Sequence, residues 1–196
     1  MVAVVRSPDK ADALREFGCE LVKGDLGVVS TDVLSGCGAA VHCAAVYQVG
    51  VTSEQAVEMR KINVGGTAGV LDAAIEAGVG RIVYVSTVNT FGDTRGAVVD
   101  EAYERPANAF VSAYDETKWE ARRAARERGE QGAPILIAMP GLVYGPGDTS
   151  QIGGAGAGRD GRKTALRRLP YTRDERGARR RRRRGDRAHA RTGNGR

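Results

Sequence analysis

Apolar residues fall into five short continuous runs, and the stretches between them carry helical spacing. Met1 to Val5 (MVAVV), Cys19 to Lys23 (CELVK), Ala39 to Cys43 (AAVHC), Arg81 to Val85 (RIVYV) and Pro134 to Ala138 (PILIA) read as strands. The first run is apolar throughout, as expected of a strand buried on both faces of a parallel sheet. Ser7-Pro8 offers an N-cap and a first-turn proline to a helix that carries Ala11, Leu14 and Phe17 and stops at Gly18. Thr31 to Leu34 suits one helical turn. Thr52 and Gln55 form a capping box before a long helix, whose Val57, Ile62, Val64, Val70, Leu71, Ala74 and Ile75 are expected to face inward. Gly78 supplies its stop, and Ser112 to Arg128 reads as the last helix. Strands that alternate with helices predict an α/β fold with an open parallel sheet.

The pattern ends near Ser150, which divides the chain into an α/β domain over 1–150 and a tail over 151–196. The domain holds 14 Lys/Arg against 20 Asp/Glu, whereas the tail holds 16 against 4, so the basic character of the chain belongs to the tail. Arg179 to Arg184 are six consecutive arginines, and Leu166, Leu169 and Tyr171 are nearly the only large apolar groups there. Such a segment buries too little surface to offset its ordering entropy, so disorder is expected. Three readings of it stand: a nucleic-acid-binding arm whose arginines neutralise phosphates, a solvated tail, or a shifted reading frame in a GC-rich gene. The abrupt change after a well-patterned segment favours the third.

Composition narrows the class further. Cys19, Cys37 and Cys43 lack CxxC spacing and have only two histidines in the chain to assist them, so reduced, buried thiols are expected rather than a metal site or a disulfide framework. With no apolar run long enough for a membrane span, the expectation is a soluble, cytoplasmic protein.

The candidate chemistry centres on Tyr114-Asp115-Glu116-Thr117-Lys118. On a helix, positions i and i+4 share a face, so the phenol and the ammonium converge. A free phenol titrates near pH 10; lowering it by about 3 units takes about 4 kcal/mol of differential stabilisation, which two close cations in a poorly solvated site, the lysine being one, can supply. Ser86 and Thr87 end a buried strand, at the sheet edge where ligands of open α/β sheets bind. A hydroxyl there can hydrogen-bond a carbonyl or alcohol while Tyr114 moves its proton. The plainer alternative is local backbone capping by these hydroxyls. His42 has a plain alternative too, a strand-end histidine bonded to backbone rather than a base.

Taken together, Val5-Arg6-Ser7, Gly24-Asp25-Leu26, Val41-His42-Cys43-Ala44-Ala45, Asn63-Val64-Gly65-Gly66-Thr67, Val85-Ser86-Thr87, the Tyr114/Lys118 pair and Pro140 to Asp148 resemble the extended short-chain dehydrogenase/reductase family, which holds nucleotide-sugar epimerases, dehydratases and dihydroflavonol-reductase-like enzymes. The resemblance implies a doubly wound, Rossmann-like sheet and an NAD(P)-dependent oxidoreductase or epimerase/dehydratase. Its substrate would be a small carbonyl, alcohol or nucleotide sugar. It implies Thr87 as the catalytic hydroxyl, Tyr114 as the acid/base, Lys118 as its partner and a ribose ligand, and Asn63 as the residue holding that lysine through a backbone or water link. Asp25 and Leu26 would border the adenine, Ala44 and Ala45 would line the cofactor cleft, and Pro140 to Val143 would pass beside the nicotinamide. Arg6 suits the 2′-phosphate of NADP, with NAD the second choice.

The same family opens with a strand and a GxxGxxG turn that cradles the pyrophosphate at a helix N-terminus. Val2 to Arg6 matches its second strand, so the first βα unit is expected to be absent. In the order 3-2-1-4-5-6 that loss removes the middle of the sheet and leaves two open edges. The expectation is therefore a chain that neither folds stably nor binds dinucleotide.

Overall fold

The structure is a computed structural model and describes residues 1–48, 50–105 and 110–143. The basic tail and the Tyr144 to Asp148 part of the motif lie outside them.

Among the described residues, five parallel strands form in the expected places but belong to two sheets. β1 (Val2–Val5) pairs with β2 (Glu20–Lys23), with Val2 opposite Glu20 and Val5 opposite Lys23. β3 (Ala40–His42), β4 (Ile82–Val85) and β5 (Ile135–Ala138) make the second sheet in that order. Among the described residues no ladder joins β1 to β3, so each presents an open edge. The α/β class holds, and the sheet divides between β1 and β3.

That division corrects the burial expected of β1. Val2 and Val4 are 40% and 37% exposed, and among the described residues no strand pairs with the open edge of β1. In the second sheet, Val41, Val83 and Leu136 stand in one row across the strands. Val41 and Leu136 are 66% and 57% exposed, while the opposite face buries Ile82 and Tyr84 completely. The core consists of those two residues with Leu71, Ala74, Val79, Ala121 and Ala125. Full burial of an Ile or Leu side chain contributes about 1.5–3 kcal/mol, so stability is concentrated on this face.

The helices follow local signals except where the backbone changes pitch. Ser7 makes no capping bond; the helix expected from it is a 3-10 turn at Pro8–Lys10 followed by α1 (Asp12–Glu16), interrupted at Ala11 with φ −118° and ψ 29°. α2 (Thr31–Leu34) is the predicted single turn. α3 (Ser53–Arg60) starts from the Thr52–Gln55 capping box, with both reciprocal bonds present. A π-helical turn, Lys61–Gly66, separates it from α4 (Thr67–Glu76). Each extra residue in a helical turn rotates all later positions of the helix by about 100°. The single inward stripe expected along this helix is therefore broken, and Val57 and Ile75 are 69% and 38% exposed. After α4, Gly78 adopts φ +70° and Val79 donates its N–H to the Ala74 carbonyl at 3.0 Å, the expected stop. α5 (Ala113–Glu130) begins at Ser112, whose hydroxyl accepts the Asp115 N–H at 3.1 Å.

Candidate functional site

The carboxyl ends of β3, β4 and β5 and the N-terminal half of α5 surround the candidate chemistry. Lys118 is 4% exposed; its ammonium donates to the Val85 carbonyl at 2.9 Å and lies 4.8 Å from the Tyr84 ring centroid. Burial lowers its pKa to about 8, against a smaller opposing influence of Cys43. That cysteine is exposed and Cys37 half-buried, which corrects the expectation of three buried thiols; only Cys19 is buried.

Tyr114 sits one turn before Lys118 and is half-buried. Its ring meets that of Tyr47 edge-on, with centroids 4.7 Å apart. Burial, and secondarily Tyr47, push the phenol above its ordinary pKa. In the chain alone the expected lowering by Lys118 is thus absent, since that ammonium points at the Val85 carbonyl.

Thr87 follows β4 and accepts the Asn89 N–H at 3.3 Å. The local cap named as the alternative is therefore formed, yet it uses the oxygen only as an acceptor and leaves the O–H able to donate. Ser86 Oγ and Tyr84 Oη are buried and meet no hydrogen-bond geometry among the described residues, although the Ser86 and Thr67 hydroxyls act on the Tyr84 phenol.

Asn63 lies in the π-helical turn and is 1% exposed. Its Oδ1 accepts the Val46 N–H at 2.7 Å, and its Nδ2 donates to the Val46 carbonyl at 3.0 Å and to Thr117 Oγ1 at 3.1 Å. Thr117 in turn donates to the Tyr114 carbonyl at 3.0 Å. The side chain thus brackets the loop after β3 and reaches α5 through Thr117 rather than through Lys118.

His42 is bonded not to backbone but to a side chain, with Nε2 2.9 Å from Thr67 Oγ1, and it stacks on Tyr84 at 5.6 Å. Burial, then the Lys118 charge, lowers its pKa to about 4, so it is neutral near pH 7.

The positions assigned to a dinucleotide follow the same sheet edges. Arg6 is exposed just beyond β1 and forms no ion pair among the described residues. Asp25 is exposed beyond β2 and accepts the Leu26 N–H at 2.7 Å. Leu26 packs on Gly66. Ala44 and Ala45 are exposed after β3, Pro140 is half-buried after β5, and Val143 is 74% exposed. Small exposed side chains at the mouth of β3, a cation beyond β1 and a buried ammonium beyond β4 fit a ribose-and-nicotinamide ligand. No described strand runs through a Gly-x-x-Gly-x-x-Gly turn into a helix, so the pyrophosphate cradle is not among the described residues.

Three features have no clear signal in the chain. Tyr47 is one; it shows only as an aromatic residue in a loop after a strand. A second is a cleft of about 380 Å³ between the loop after β3 and the start of α5, bounded by Gln48, Val51, Thr52, Val111, Ser112 and Ala113 among others, none of them charged. The third is an ion pair between Arg105 and Asp115 at 3.4 Å, with side chains only 5% and 3% exposed. Arg105 also lies 4.4 Å from the Phe110 ring centroid. A Cβ at Gly92, where φ is +67°, would come within 2.9 Å of that guanidinium.

Comparison with known proteins gives the family and the fold. The model of the NAD dependent epimerase/dehydratase family matches residues 1–166. The chain is 30% identical over 151 residues to a 4-hydroxy-2-methyl-3-oxo-4-farnesyl-3,4-dihydroquinoline-1-oxide ketoreductase of Stigmatella aurantiaca, covering 76% of this chain and 44% of that protein. A dTDP-glucose 4,6-dehydratase of Streptomyces venezuelae, solved with NAD bound, superimposes with a TM-score of 0.58 at 25% identity, over 69% of this chain and 44% of that one. RMD from Pseudomonas aeruginosa, complexed with NADPH, shares the fold with a TM-score of 0.57 at 20% identity, over 76% of this chain and 56% of that one. The chain spans less than half the length of the first curated relatives it matches. Among the described residues no helix is long and apolar enough to cross a membrane.

Proposed function

The chain belongs to the NAD-dependent epimerase/dehydratase family, and we propose that it carries the proton-transfer centre of an NAD(P)-dependent oxidoreductase or epimerase/dehydratase acting on a small carbonyl, alcohol or sugar substrate. The observation that carries this reading is the buried Lys118 ammonium, anchored at the carboxyl end of β4 one helical turn from Tyr114. A buried, hydrogen-bonded cation costs desolvation, and in this place its return is chemical.

When bound, the nicotinamide supplies the hydride acceptor or donor. Tyr114 exchanges a proton with the substrate oxygen, and Thr87 donates its O–H to that same oxygen. Lys118 is charged at pH 7, with a pKa of about 8; released from the Val85 carbonyl, it would stabilise the phenolate that forms when Tyr114 gives up its proton. Asn63 holds the loop after β3 and the Tyr114 turn of α5 in register through Val46 and Thr117. Arg6 would meet the adenosine ribose, where a cation favours NADP over NAD. Asp25 and Leu26 would border the adenine, Ala44 and Ala45 the cleft, and Pro140 and Val143 the nicotinamide.

The test is hydride transfer between NADPH or NADH and carbonyl compounds by the protein that carries this segment. Tyr114→Phe is expected to lower the rate by on the order of 10²–10⁴-fold, and Arg6→Glu to move the preference from NADPH towards NADH. Full turnover in both Tyr114→Phe and Lys118→Met would overturn the reading.

A further inference from the structure

Lys118 is held by two groups that carry no charge. Its ammonium donates to the Val85 carbonyl at 2.9 Å and lies 4.8 Å from the centroid of the Tyr84 ring. An ammonium has three N–H donors, and the carbonyl takes one. Lys118 is almost fully buried, so water does little for the others, and the negative face of an aromatic ring attracts the cation over it. The ring is itself fixed. Tyr84 lies within β4 and is 1% exposed. Its ring stacks on His42 at 5.6 Å with an interplanar angle of 26°, and His42 Nε2 is in turn 2.9 Å from Thr67 Oγ1 on α4. His42 of β3, Tyr84 of β4 and Lys118 of α5 thus form one chain of contacts across the sheet.

The kind of anchor matters as much as its strength. A carboxylate in place of the ring would hold the lysine more tightly, yet it would cancel the field that the ammonium exerts on Tyr114 one turn away. A carbonyl dipole and a neutral ring hold the cation and leave its charge free to act. Burial, against the Ser86 and Thr67 hydroxyls, pushes the Tyr84 phenol far above its ordinary pKa, so at neutral pH it is not a phenolate that would pair with Lys118. A ring also attracts a cation anywhere over its face within about 6 Å of its centroid. A shift of the ammonium from Val85 towards Tyr114 therefore need not cost it this second hold. We propose that Tyr84 is a positioning residue, whose ring face keeps the Lys118 cation at the carboxyl end of β4 without neutralising it. The inference rests on Lys118 as the partner of Tyr114 and names the group that sustains it there.

The experiment is an NMR titration of the Lys118 ammonium in the full chain, isotope-labelled at the lysine side chains, with the signal assigned by its loss in Lys118→Met. Two variants keep the shape of the side chain. Tyr84→Phe retains the negative ring face, and replacement of Tyr84 by pentafluorophenylalanine reverses its sign. The wild-type midpoint lies near pH 8. Tyr84→Phe is expected to stay within about 0.3 pH units of it, and the fluorinated ring to lower it by about 0.4–1.5 pH units, a factor of about 2.5–30 in the protonation equilibrium. Cys43, which raises that midpoint, His42 and Tyr114 are the titratable groups next to this pair, and they are the same in all three chains. A ring that only fills the core would leave the lysine midpoint alone. Equal midpoints for the Tyr84→Phe and fluorinated chains, or a higher one with the fluorinated ring, would overturn the proposal. The titration needs neither cofactor nor turnover. A midpoint that follows the ring in a protein without hydride transfer upholds the anchor and counts against Lys118 as a proton-transfer partner. Hydride transfer sensitive to Lys118→Met, with a midpoint indifferent to the ring, does the reverse.

Discussion

Leu26 packs directly on Gly66: a Cβ built at Gly66 would lie 2.9 Å from the Leu26 Cβ. Leu26 follows β2 and Gly66 ends the π-helical turn, so this contact fastens the β1–β2 sheet to the helix that covers β3–β5. Gly65, beside it, has nothing within 4 Å of such a Cβ. Gly66→Ala is therefore expected to cost about 1–3 kcal/mol through overpacking, whereas Gly65→Ala should be neutral or stabilise by up to about 1 kcal/mol. Urea unfolding of the two variants separates these outcomes; equal midpoints would mean that the contact bears no weight.

The two sheets should also open separately. β1 leaves Val2 and Val4 more than a third exposed, while β4 buries Ile82 and Tyr84 against α4 and α5. Local opening is easiest where few apolar contacts must be broken. Native-state hydrogen exchange is expected to be at least about tenfold faster in the β1–β2 ladder than in the β4–β5 ladder, a difference of ~1.4 kcal/mol or more in opening free energy. Uniform protection across all five strands would show the two sheets opening as one.

Signals that act within a turn or two are readable from the chain. The Thr52–Gln55 box, the Gly78 stop and the Ser112 cap each depend on residues a few positions apart, and each forms. The Tyr114–Lys118 spacing likewise requires only a helix. What escapes depends on partners distant in sequence. The π-helical turn is stabilised where Asn63 reaches Val46 and Thr117, so no local pattern announces that Val57 will turn outward. The edge-on contact of Tyr47 with Tyr114 joins residues 67 positions apart through the packing of a loop on a helix. The exposure of β1 is hidden for a similar reason: its sequence is that of an inner strand, while its surroundings among the described residues are those of an edge.

Removing one member of the Arg105–Asp115 pair should be among the more damaging single changes. Both side chains are almost fully buried, and Asp115 also accepts the Val111 N–H at 3.3 Å. Arg105→Met would leave a buried carboxylate without its cation, a change that costs about 3–5 kcal/mol in comparable settings. The double variant Arg105→Met/Asp115→Leu should recover part of that loss, because neither charge of the pair is then left buried without the other. Chemical denaturation of the two singles and the double gives the coupling directly; strictly additive losses would mean that the pair does not interact.

Stability should fall with acidification through His42. Its pKa is lowered from 6.5 to about 4 in the folded chain, chiefly by burial and then by the Lys118 charge. The unfolded chain therefore binds the proton first, so the folded state has the full benefit of the neutral ring above about pH 6.5 and loses it as the pH drops towards 4. At 1.36 kcal/mol per unit, the loss across that window is about 3 kcal/mol. Lys118 also titrates below its ordinary value, near pH 8, so its own contribution changes between about pH 10.5 and 8, outside the acid window; Asp72, whose carboxyl Arg128 holds below the ordinary carboxylate range, adds a loss at the acid end of that window, which is common to the variant and the unsubstituted chain. His42→Gln keeps a group able to bond Thr67 but cannot titrate. Its urea midpoint between pH 6.5 and 4 is expected to decline less steeply than that of the unsubstituted chain, and parallel slopes would show that protonation of the ring does not drive the acid loss.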